Sequence, residues 1–473
     1  MRGARNDWAS LNVNQQKAAL WDKGPLLVLA GSGAGKTRVL TYRLANILAN
    51  SPGKHFRLLV LSRTNKGAAE MRSRVAELVP DFPNRVNIAA FHSYAAEFLR
   101  QYGSHIGVRP DFQMLSDDVD REKMLAEVIA KVGKKPEFVI PDNFQASLLL
   151  PCLTNLFELS IAPEKAADFL SPSQPDAARE LALICAAYRE ELQAANFMDH
   201  PALISAALSL AENCPFIPKH VRRIYTHVLV DDFQEVKARE YELLKKFVAP
   251  DPSTFFAAAD DEQIFGQGDG ADPKRIERLK TDFGVDIVQL PENYRCPPEI
   301  LSLANSLIAF NHNGREAKRP LVSVKSASRD LDGAPGGAPG GAIIARQFSD
   351  AEEEMEWLAH DLAEKNLEER ERCAILARST KMLEKMGQKL FLAHIPAYFP
   401  GRNKDFLSAP FRMLLAILRL ANRQSDKKAL AQLNKAFFEL EGADVSPSEI
   451  TFRASAGGLD WTGCELGWRR SKI

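Results

Sequence analysis

The sequence predicts an α/β fold built on parallel sheets, of the kind that binds ligands at the carboxyl ends of its strands. The apolar run "LLVLA" (Leu26–Ala30) leads into a glycine-rich turn and then a helical pattern. Further apolar runs, in segments starting at Phe56, Tyr225, Ser253 and Val285, are each followed by polar residues. Two of these runs end in paired carboxylates, so we expect the functional groups at one edge of the sheet.

The composition is that of a soluble globular protein with no bulk charge. The chain has 473 residues, 45% of them hydrophobic and 26% charged, a length typical of about three domains. Lys+Arg and Asp+Glu both number 61. A nucleic acid would therefore have to bind in a local groove rather than on a basic coat.

Cysteine usage and hydropathy predict a cytoplasmic protein without a membrane partner. The six cysteines are scattered and lack metal-like spacing, which favours reduced thiols. The N-terminal residues lack the apolar core of a signal peptide. The most apolar stretch, "FRMLLAILRLANR" (residues 411–423), contains arginines and is predicted to be an amphipathic helix.

The glycine-rich turn fits the phosphate-loop pattern, except that alanine occupies the first glycine position. Backbone N–H groups of such a loop bind phosphate oxygens, Lys36 would reach the β- and γ-phosphates, and Thr37 would offer a hydroxyl to Mg²⁺. The alternative is a glycine turn with a surface lysine. The loop residues are Ala30, Gly31, Ser32, Gly33, Ala34, Gly35, Lys36 and Thr37.

Two acidic clusters follow predicted strands. In "HVLVDDFQE" we expect Asp231 to hold the metal and Asp232 to orient the attacking water. In "AAADDEQ", Gln263 is placed to sense the γ-phosphate, next to Asp260 and Asp261. The alternative for both clusters is helix capping or solvated turn acids.

These motifs, in this order, resemble the UvrD/Rep-type superfamily 1 DNA helicases, which are P-loop NTPases with RecA-like domains. The matching segments run from about Leu11 to at least Leu420. They are "LNVNQQKAA", "AGSGAGKTRVL", "TNKGAAEMRSRV", "FHS", "VDDFQE", "ADDEQ", "NYRCPPEI" and "AILARST".

The resemblance implies a division into RecA-like parallel-sheet domains with helical insertions. Residues 1–110 and 200–289 would form the first, ATP-binding domain, and residues 111–199, where apolar residues recur at helical spacing, a helical insertion. Residues 290–402 would form part of the second domain, with a helix at "AEEEMEWLAHDLAE" and a strand at "RCAILARST". Residues 403–473 would begin its own helical insertion. The Gly/Pro/Ala-rich stretch from Ser326 is expected to be a flexible loop.

The resemblance also implies roles in binding ATP. Gln15 would contact the adenine, although its spacing from Asn12 also fits a capping box. Arg38 and Tyr294 would sandwich the base, although Tyr294 could be a plain core aromatic. Arg295 would touch the γ-phosphate.

Single-stranded DNA, or a junction of single- and double-stranded DNA, would be the partner, with movement from 3′ to 5′ and a role in DNA repair. His92 could instead be an ordinary surface histidine. The residues expected to face DNA are Arg63, Thr64, Asn65, His92, Phe265 and Arg378.

The chain departs from the family pattern in several places. Asp232 replaces a glutamate, Arg63 replaces an aromatic residue, and the segment beyond Gln263 lacks an aromatic-Arg pair. Two motifs of the second RecA-like domain, one of which carries an arginine finger, are not found. The tail segment "GGLDW" is interpreted as part of the helical insertion rather than as one of these motifs. The sequence therefore predicts a truncated helicase that binds ATP but hydrolyses it poorly.

Two hypotheses remain. One is an ATP-dependent DNA helicase or translocase. The other is a helicase-like protein that binds ATP and DNA without unwinding, either as a regulator or with a protein partner that supplies the missing motifs. A small-molecule kinase is disfavoured by the DNA-facing motifs.

Overall fold

The computed structural model describes residues 8–51, 56–80, 84–134, 145–158, 175–248, 251, 254–265, 270–311, 318–324, 343–399, 409–422 and 427–441. The chain divides into two compact units, Met1–Ile343 and Ile344–Ile473.

The first unit is organised around a parallel sheet. The strands in chain order are β1 (Leu26–Ala30), β2 (Arg57–Ser62), β3 (Val86–Ala90), β4 (Gln113–Met114), β5 (Phe197–Met198), β6 (Tyr225–Val230), β7 (Phe255–Ala259), β8 (Asp286–Leu290), β9 (Glu292–Asn293) and β10 (Val322–Ser323). The six-stranded sheet has the order β3-β2-β6-β7-β1-β8, with every neighbouring pair parallel. The α/β prediction is confirmed. Since β7 lies between β6 and β1, both acidic clusters and the glycine loop emerge side by side at the carboxyl edge.

All five strands predicted from apolar runs are present, but β3 was missed. Its sequence, "VNIAA", is short and contains an asparagine and two alanines, which have low strand propensity. It forms because its backbone pairs with β2 from Val86 to Ala90.

Helices cover both faces of the sheet. In the first unit they are α1 (Val13–Ala19), α2 (Lys36–Ala49), α3 (Asn65–Leu78), α4 (Phe91–Tyr102), α5 (Asp118–Val132), α6 (Ala146–Glu158), α7 (Pro175–Ala194), α8 (His200–Asn213), α9 (Phe216–Ile224), α10 (Ala238–Val248), α11 (Lys274–Phe283) and α12 (Pro298–Ile308). Alternate strand residues enter two different cores: Val28 and Val60 pack in one, Leu27 and Leu59 in the other. This burial on both faces explains why the strands read as continuous apolar runs.

Helices α5, α6 and α7 have a hydrophobic core of their own, which includes Leu125, Leu153, Ile184 and Tyr188. The short strands β4 and β5 pair in parallel at the two ends of this helical segment. Buried Arg121 on α5 donates to Asp199, whose side chain caps α8. The helices are thus tied to the element that follows them.

The pair β9 and β10 lies within the first unit. It is parallel, and Val322 N donates to Pro291 O at 2.9 Å. The compact unit continues to Ile343, whereas the sequence interpretation begins a second domain at residue 290. That domain assignment stays a prediction.

The second unit is helical in its described part. It comprises α13 (Ala351–Glu364), α14 (Leu367–Glu371), α15 (Thr380–Leu392), α16 (Ala409–Asn422) and α17 (Lys427–Glu441). The predicted helix at "AEEEMEWLAHDLAE" and the amphipathic helix near residue 411 are confirmed. "GGLDW" and most of the Gly/Pro/Ala-rich stretch lie outside the described residues.

The predicted strand at "RCAILARST" is wrong for the structure described here. Residues 373–377 belong to no strand, and most of them are exposed. A strand requires a neighbour to pair with its backbone, and the described part of this unit contains only helices as regular elements. Within residues 373–377, Ile375 packs against the core that includes Met355 and Leu390.

Candidate active site

The glycine-rich loop joins β1 to α2 through backbone angles that glycine adopts readily. Gly33 and Gly35 have φ angles of 79° and 88°, which other residues rarely adopt. Gly35 directly precedes the first turn of α2, where backbone N–H groups are free of helical partners. The predicted strand, loop and helix are therefore in place for binding an anion.

Lys36 reaches back across the loop. Its Nζ atom donates to the carbonyl oxygens of Ala30 and Gly31 at 3.1 and 3.2 Å. It also lies 3.7 Å from Asp260 Oδ2. Burial lowers the pKa of Lys36, although the nearby carboxylate of Asp260 opposes this shift. The ammonium group is thus held over the loop by contacts that a phosphate oxygen can replace.

Thr37 and Asp231 supply adjacent oxygen atoms. Thr37 Oγ1 donates to Asp231 Oδ2 at 3.0 Å. Burial, and then the neighbouring charge of Asp232, raise the pKa of Asp231 to about 6. A buried carboxylate beside a hydroxyl is a donor set that fits Mg²⁺, which binds few protein oxygens and keeps waters or phosphate oxygens as its other ligands. Among the described residues, no group of three or more His, Cys, Asp or Glu side chains could hold a metal by itself.

Asp232 adopts a left-handed backbone conformation. Its φ angle is 49°, which is uncommon outside glycine and marks backbone strain at functional sites. Its amide N lies 3.2 Å from Asp231 Oδ1, and its Oδ1 accepts from Gln234 Nε2 at 3.3 Å. Gln234 Oε1 in turn accepts from Asp260 N at 3.0 Å. The sequence analysis missed Gln234, although it lies within the quoted motif "VDDFQE".

The tip of β7 carries the second acidic cluster. Gln263 is half-buried, and its backbone N donates to Asp260 O at 3.2 Å. Lys318 Nζ contacts Asp260 Oδ1 and Asp261 Oδ1 at 2.6 and 3.0 Å. Lys318 was also missed, because no motif marks it and it follows Asp261 by 57 positions.

The "NYR" segment lies directly on the phosphate loop. Tyr294 N donates to Gly33 O at 3.0 Å, and Arg295 Nη1 donates to Ser32 Oγ at 3.1 Å. Asn293, which is buried, donates its side-chain amide to Ser32 O and accepts from Arg295 N at 2.9 Å. The predicted γ-phosphate residue Arg295 is therefore beside the loop, and Asn293 holds the two segments together.

Gln15 forms the capping box that the sequence analysis left as an alternative. Gln15 N donates to Asn12 Oδ1 at 2.8 Å, and Asn12 N donates to Gln15 Oε1 at 3.1 Å. Gln15 Nε2 donates to Ala34 O at 3.0 Å, and the residue is only 1% exposed. The capping role and a position against the phosphate loop thus coexist, and the adenine contact stays a prediction.

Arg38 and Tyr294 both lie near the start of α1. Arg38 Nη2 donates to Ser10 Oγ at 2.6 Å, and Asn12 Nδ2 donates to the Tyr294 hydroxyl at 2.7 Å. Tyr294 is 39% exposed, so it is not a plain core aromatic.

A cavity of about 180 Å³ lies beside the acidic edge. Arg63, Thr64, His92, Asp232 and Glu235 are among the residues that line it. Arg63 Nη1 lies 3.7 Å from Glu235 Oε2, and Thr64 Oγ1 caps α3 by accepting from Gly67 N. Three predicted DNA-facing residues, Arg63, Thr64 and His92, and the two predicted catalytic carboxylates, Asp231 and Asp232, therefore share one cavity.

Asn65 and Phe265, which are also predicted to face DNA, are not among the residues that line this cavity. Asn65 Oδ1 accepts from Ser93 Oγ at 2.6 Å, and Phe265 is 73% exposed. Burial, followed by the nearby His200 and Lys237, lowers the pKa of His92 to about 3. His92 is therefore neutral near pH 7, and its contact with Glu240 at 3.8 Å is not an ion pair. Arg378 lies in the second unit, exposed.

None of the helices in the described ranges is long and apolar enough to cross a membrane.

The chain matches two protein-family models. Residues 11–284 match the UvrD/REP helicase N-terminal domain, and residues 288–445 match the UvrD-like helicase C-terminal domain.

Relatives show the same similarity along most of the chain. ATP-dependent DNA helicase UvrD1 of Mycobacterium tuberculosis strain H37Rv is 29% identical over 435 residues, covering 89% of this chain and 54% of that protein. DNA helicase II of Escherichia coli strain K12 is 28% identical over 427 residues, covering 88% and 55%. ATP-dependent DNA helicase PcrA of Staphylococcus aureus strain Mu50 is 25% identical over 443 residues, covering 93% and 57%. The chain spans about half the length of these curated relatives. Since the N-terminal-domain model alone matches more than half of the chain, the protein belongs to the UvrD/REP helicase family.

Proposed function

We propose that this protein is an ATP-dependent DNA helicase or translocase that couples ATP hydrolysis to movement along single-stranded DNA. The observation that carries the proposal is the junction of the phosphate loop with the acidic strand tips, where Thr37 meets Asp231 at 3.0 Å and Lys36 meets Asp260 at 3.7 Å. Membership of the UvrD/REP family and relatives named DNA helicases support the same function.

ATP would bind with its phosphates on the loop Ala30–Thr37. The backbone N–H groups of Gly31, Ser32, Gly33, Ala34 and Gly35 would surround the phosphates, and Lys36 would exchange its carbonyl contacts for β- and γ-phosphate oxygens. Thr37 and Asp231 would hold Mg²⁺, which neutralises phosphate charge when bound. The residues fit Mg²⁺ because the oxygen atoms Thr37 Oγ1 and Asp231 Oδ2 already lie 3.0 Å apart.

The hydrolytic residues would surround the γ-phosphate. Asp232 would accept a hydrogen bond from the attacking water. Gln234 Nε2 donates a hydrogen bond to Asp232 Oδ1 at 3.3 Å and would keep the carboxylate in place. Gln263 at the β7 tip and Arg295 beside Ser32 would contact the γ-phosphate. The adenine would lie near Gln15, between Arg38 and Tyr294.

Single-stranded DNA would lie along the surface formed by the residues that follow β2 and β3, which include Arg63, Thr64, Asn65 and His92. Phe265 would offer a stacking face, since it is largely exposed. Arg378 of the second unit would add a phosphate contact. Movement from 3′ to 5′, action at junctions, a role in DNA repair and a cytoplasmic location belong to this proposal as expectations from the family.

A second candidate function is binding of ATP and DNA without unwinding, as a regulator or together with a protein partner. The specific observation that favours it is the short carboxylate of Asp232 at a position where a longer side chain is typical of the family. A misplacement of the attacking water by about an ångström can cost on the order of a hundredfold in rate. Binding would survive such a loss.

Steady-state ATP hydrolysis, measured with and without single-stranded DNA, distinguishes the two functions. Lys36→Ala serves as the blank. Strong stimulation by DNA, followed by strand displacement on a duplex with a 3′ tail, supports the helicase. Nucleotide and DNA binding without stimulated turnover supports the second function, and failure to bind ATP contradicts both.

A further inference from the structure

Residues 318–324 form a strap against the phosphate loop. Strand β10 lies within the strap and pairs with β9, which immediately precedes Tyr294. On the other side, Asn305 Nδ2 donates to Leu321 O at 2.9 Å, and Leu321 N donates to Asn305 Oδ1 at 3.0 Å. The strap is therefore fixed along its length by backbone and side-chain hydrogen bonds.

The strap contacts the phosphate loop directly. A Cβ atom added to Gly31 would lie 2.5 Å from Leu321 Cδ2, well inside van der Waals contact. Gly31 thus lets the Leu321 side chain lie directly against the loop, and a larger residue at position 31 would require that side chain to move. The strap is therefore in direct contact with the loop that would receive phosphate.

Lys318, at the start of the strap, is a largely buried cation on the acidic β7 tip. Its side chain is 12% exposed and contacts Asp260 at 2.6 Å and Asp261 at 3.0 Å. Burial alone lowers the pKa of Lys318, but the two carboxylates together raise it above its ordinary value. The ammonium group is therefore charged.

Asp260 lies between two lysines. Its Oδ1 faces Lys318, while its Oδ2 lies 3.7 Å from Lys36. Lys318 makes the shorter contact and has a second carboxylate partner, so it holds Asp260 more firmly than Lys36 does. Lys36, the residue that must reach phosphate, is left with the weaker contact.

We propose that Lys318 is a positioning residue of the nucleotide site, which neutralises Asp260 and so leaves Lys36 available to phosphate. The inference rests on the proposed function in that ATP must bind at this loop. Without Lys318, two buried carboxylates would lose their closest cation, draw Lys36 away from the loop and repel the incoming triphosphate.

The test is an equilibrium titration with a fluorescent ATP analogue, with and without Mg²⁺. Lys318→Ala is expected to bind about tenfold more weakly, the scale of one charge-assisted hydrogen bond. Lys318→Arg is expected to keep most of the affinity, because it keeps the charge. Lys318→Ala combined with Asp260→Asn is expected to recover most of it, because a neutral amide no longer captures Lys36.

Arg319→Ala is the matched control. Arg319 is the exposed neighbour of Lys318, and its backbone N–H, which donates to Gln289 Oε1 at 2.9 Å, is retained in the variant. The affinity of Arg319→Ala for the ATP analogue is expected to equal that of the wild type. Urea unfolding without nucleotide establishes that each variant is folded.

Two results would overturn the inference while leaving the proposed function intact. One is a wild-type protein that binds the analogue and a Lys318→Ala variant whose affinity for it lies within about twofold of the wild-type affinity. The other is a double variant that binds no better than the single one, since the loss would then be structural. A wild-type protein that does not bind the analogue contradicts the proposed function and the inference together.

Discussion

Thr37 donates a hydrogen bond to Asp231 at 3.0 Å, although 194 positions separate the two residues along the chain. The contact forms because α2 begins at the carboxyl end of β1 while Asp231 follows β6, with only β7 between these strands. A hydroxyl and a buried carboxylate thus meet beside the loop, at the point where we propose that Mg²⁺ binds.

Lys36→Ala is expected to abolish ATP binding. The variant removes the ammonium group that spans Ala30, Gly31 and Asp260, and no other lysine contacts the loop carbonyls in the described part of the chain. Equilibrium dialysis with ATP and Mg²⁺ measures the loss. Lys17→Ala, on α1, serves as a control for the removal of a lysine. Unchanged affinity in Lys36→Ala would show that phosphate does not bind here.

Asp232→Glu is expected to raise the rate of ATP hydrolysis, by at most about a hundredfold. The extra methylene gives the side chain the length that the resemblance to the UvrD/Rep-type helicases implies at this position. Turnover under saturating ATP and DNA is the measurement, and Asp232→Asn, which removes the charge, should lower it. A lower rate in Asp232→Glu would argue against a water-orienting role.

Arg63→Ala is expected to weaken binding of single-stranded DNA and to reduce its salt dependence. Loss of one phosphate contact lowers the slope of log K against log salt by about 0.7. Fluorescence anisotropy at several salt concentrations gives this slope. Arg57→Ala, at the opposite end of β2, should leave it unchanged. An unaltered slope in Arg63→Ala would mean that Arg63 contacts no phosphate.

His92→Gln is expected to make stability less dependent on pH under acidic conditions. The pKa of a histidine in the unfolded chain is about 6.5, whereas burial lowers the pKa of His92 to about 3 in the folded protein. Between these pH values the unfolded chain binds more protons at this residue than the folded protein does. The stability that the neutral His92 of the folded protein contributes is therefore complete above about pH 6.5 and is lost as the pH falls. The free energy of unfolding therefore falls by at most about 1.4 kcal/mol per pH unit from this group.

Urea denaturation at pH 7 and pH 5 measures that slope. Two further histidines, His200 and His227, also have lowered pKa values and will leave a residual slope in the variant. The exposed His360 provides the matched control, and His360→Gln should leave the slope as in the wild type. An equal slope in His92→Gln would show that His92 does not titrate differently on folding.

The parallel sheet and the phosphate loop could be predicted because their signals are local. Strands buried on both faces must be apolar throughout, and a turn that adopts positive φ angles favours glycine, as at Gly33 and Gly35. Asp231 and Asp260 could be placed near the loop for a related reason, since residues that follow parallel strands meet at one edge of a sheet.

The chain's own residues also determined the capping box of Asn12 and Gln15, because its partners are three positions apart. The sequence could not show that Gln15 also reaches Ala34. Nor did the apolar pattern near Ile375 decide its structure, because a strand depends on a partner that the pattern does not contain.

Only the tertiary structure decided which residues that are distant in sequence contact the phosphate loop or the carboxylates beside it. Asn293 holds Ser32, and Lys318 holds Asp260, across long separations in sequence. Lys318 lies in no motif, so nothing local distinguishes it from a solvated surface residue. Asn293 lies in the quoted segment "NYRCPPEI", but that motif does not show that its side-chain amide reaches Ser32. Their roles arise because the fold buries them beside one particular carbonyl or carboxylate, where a polar group must find a partner.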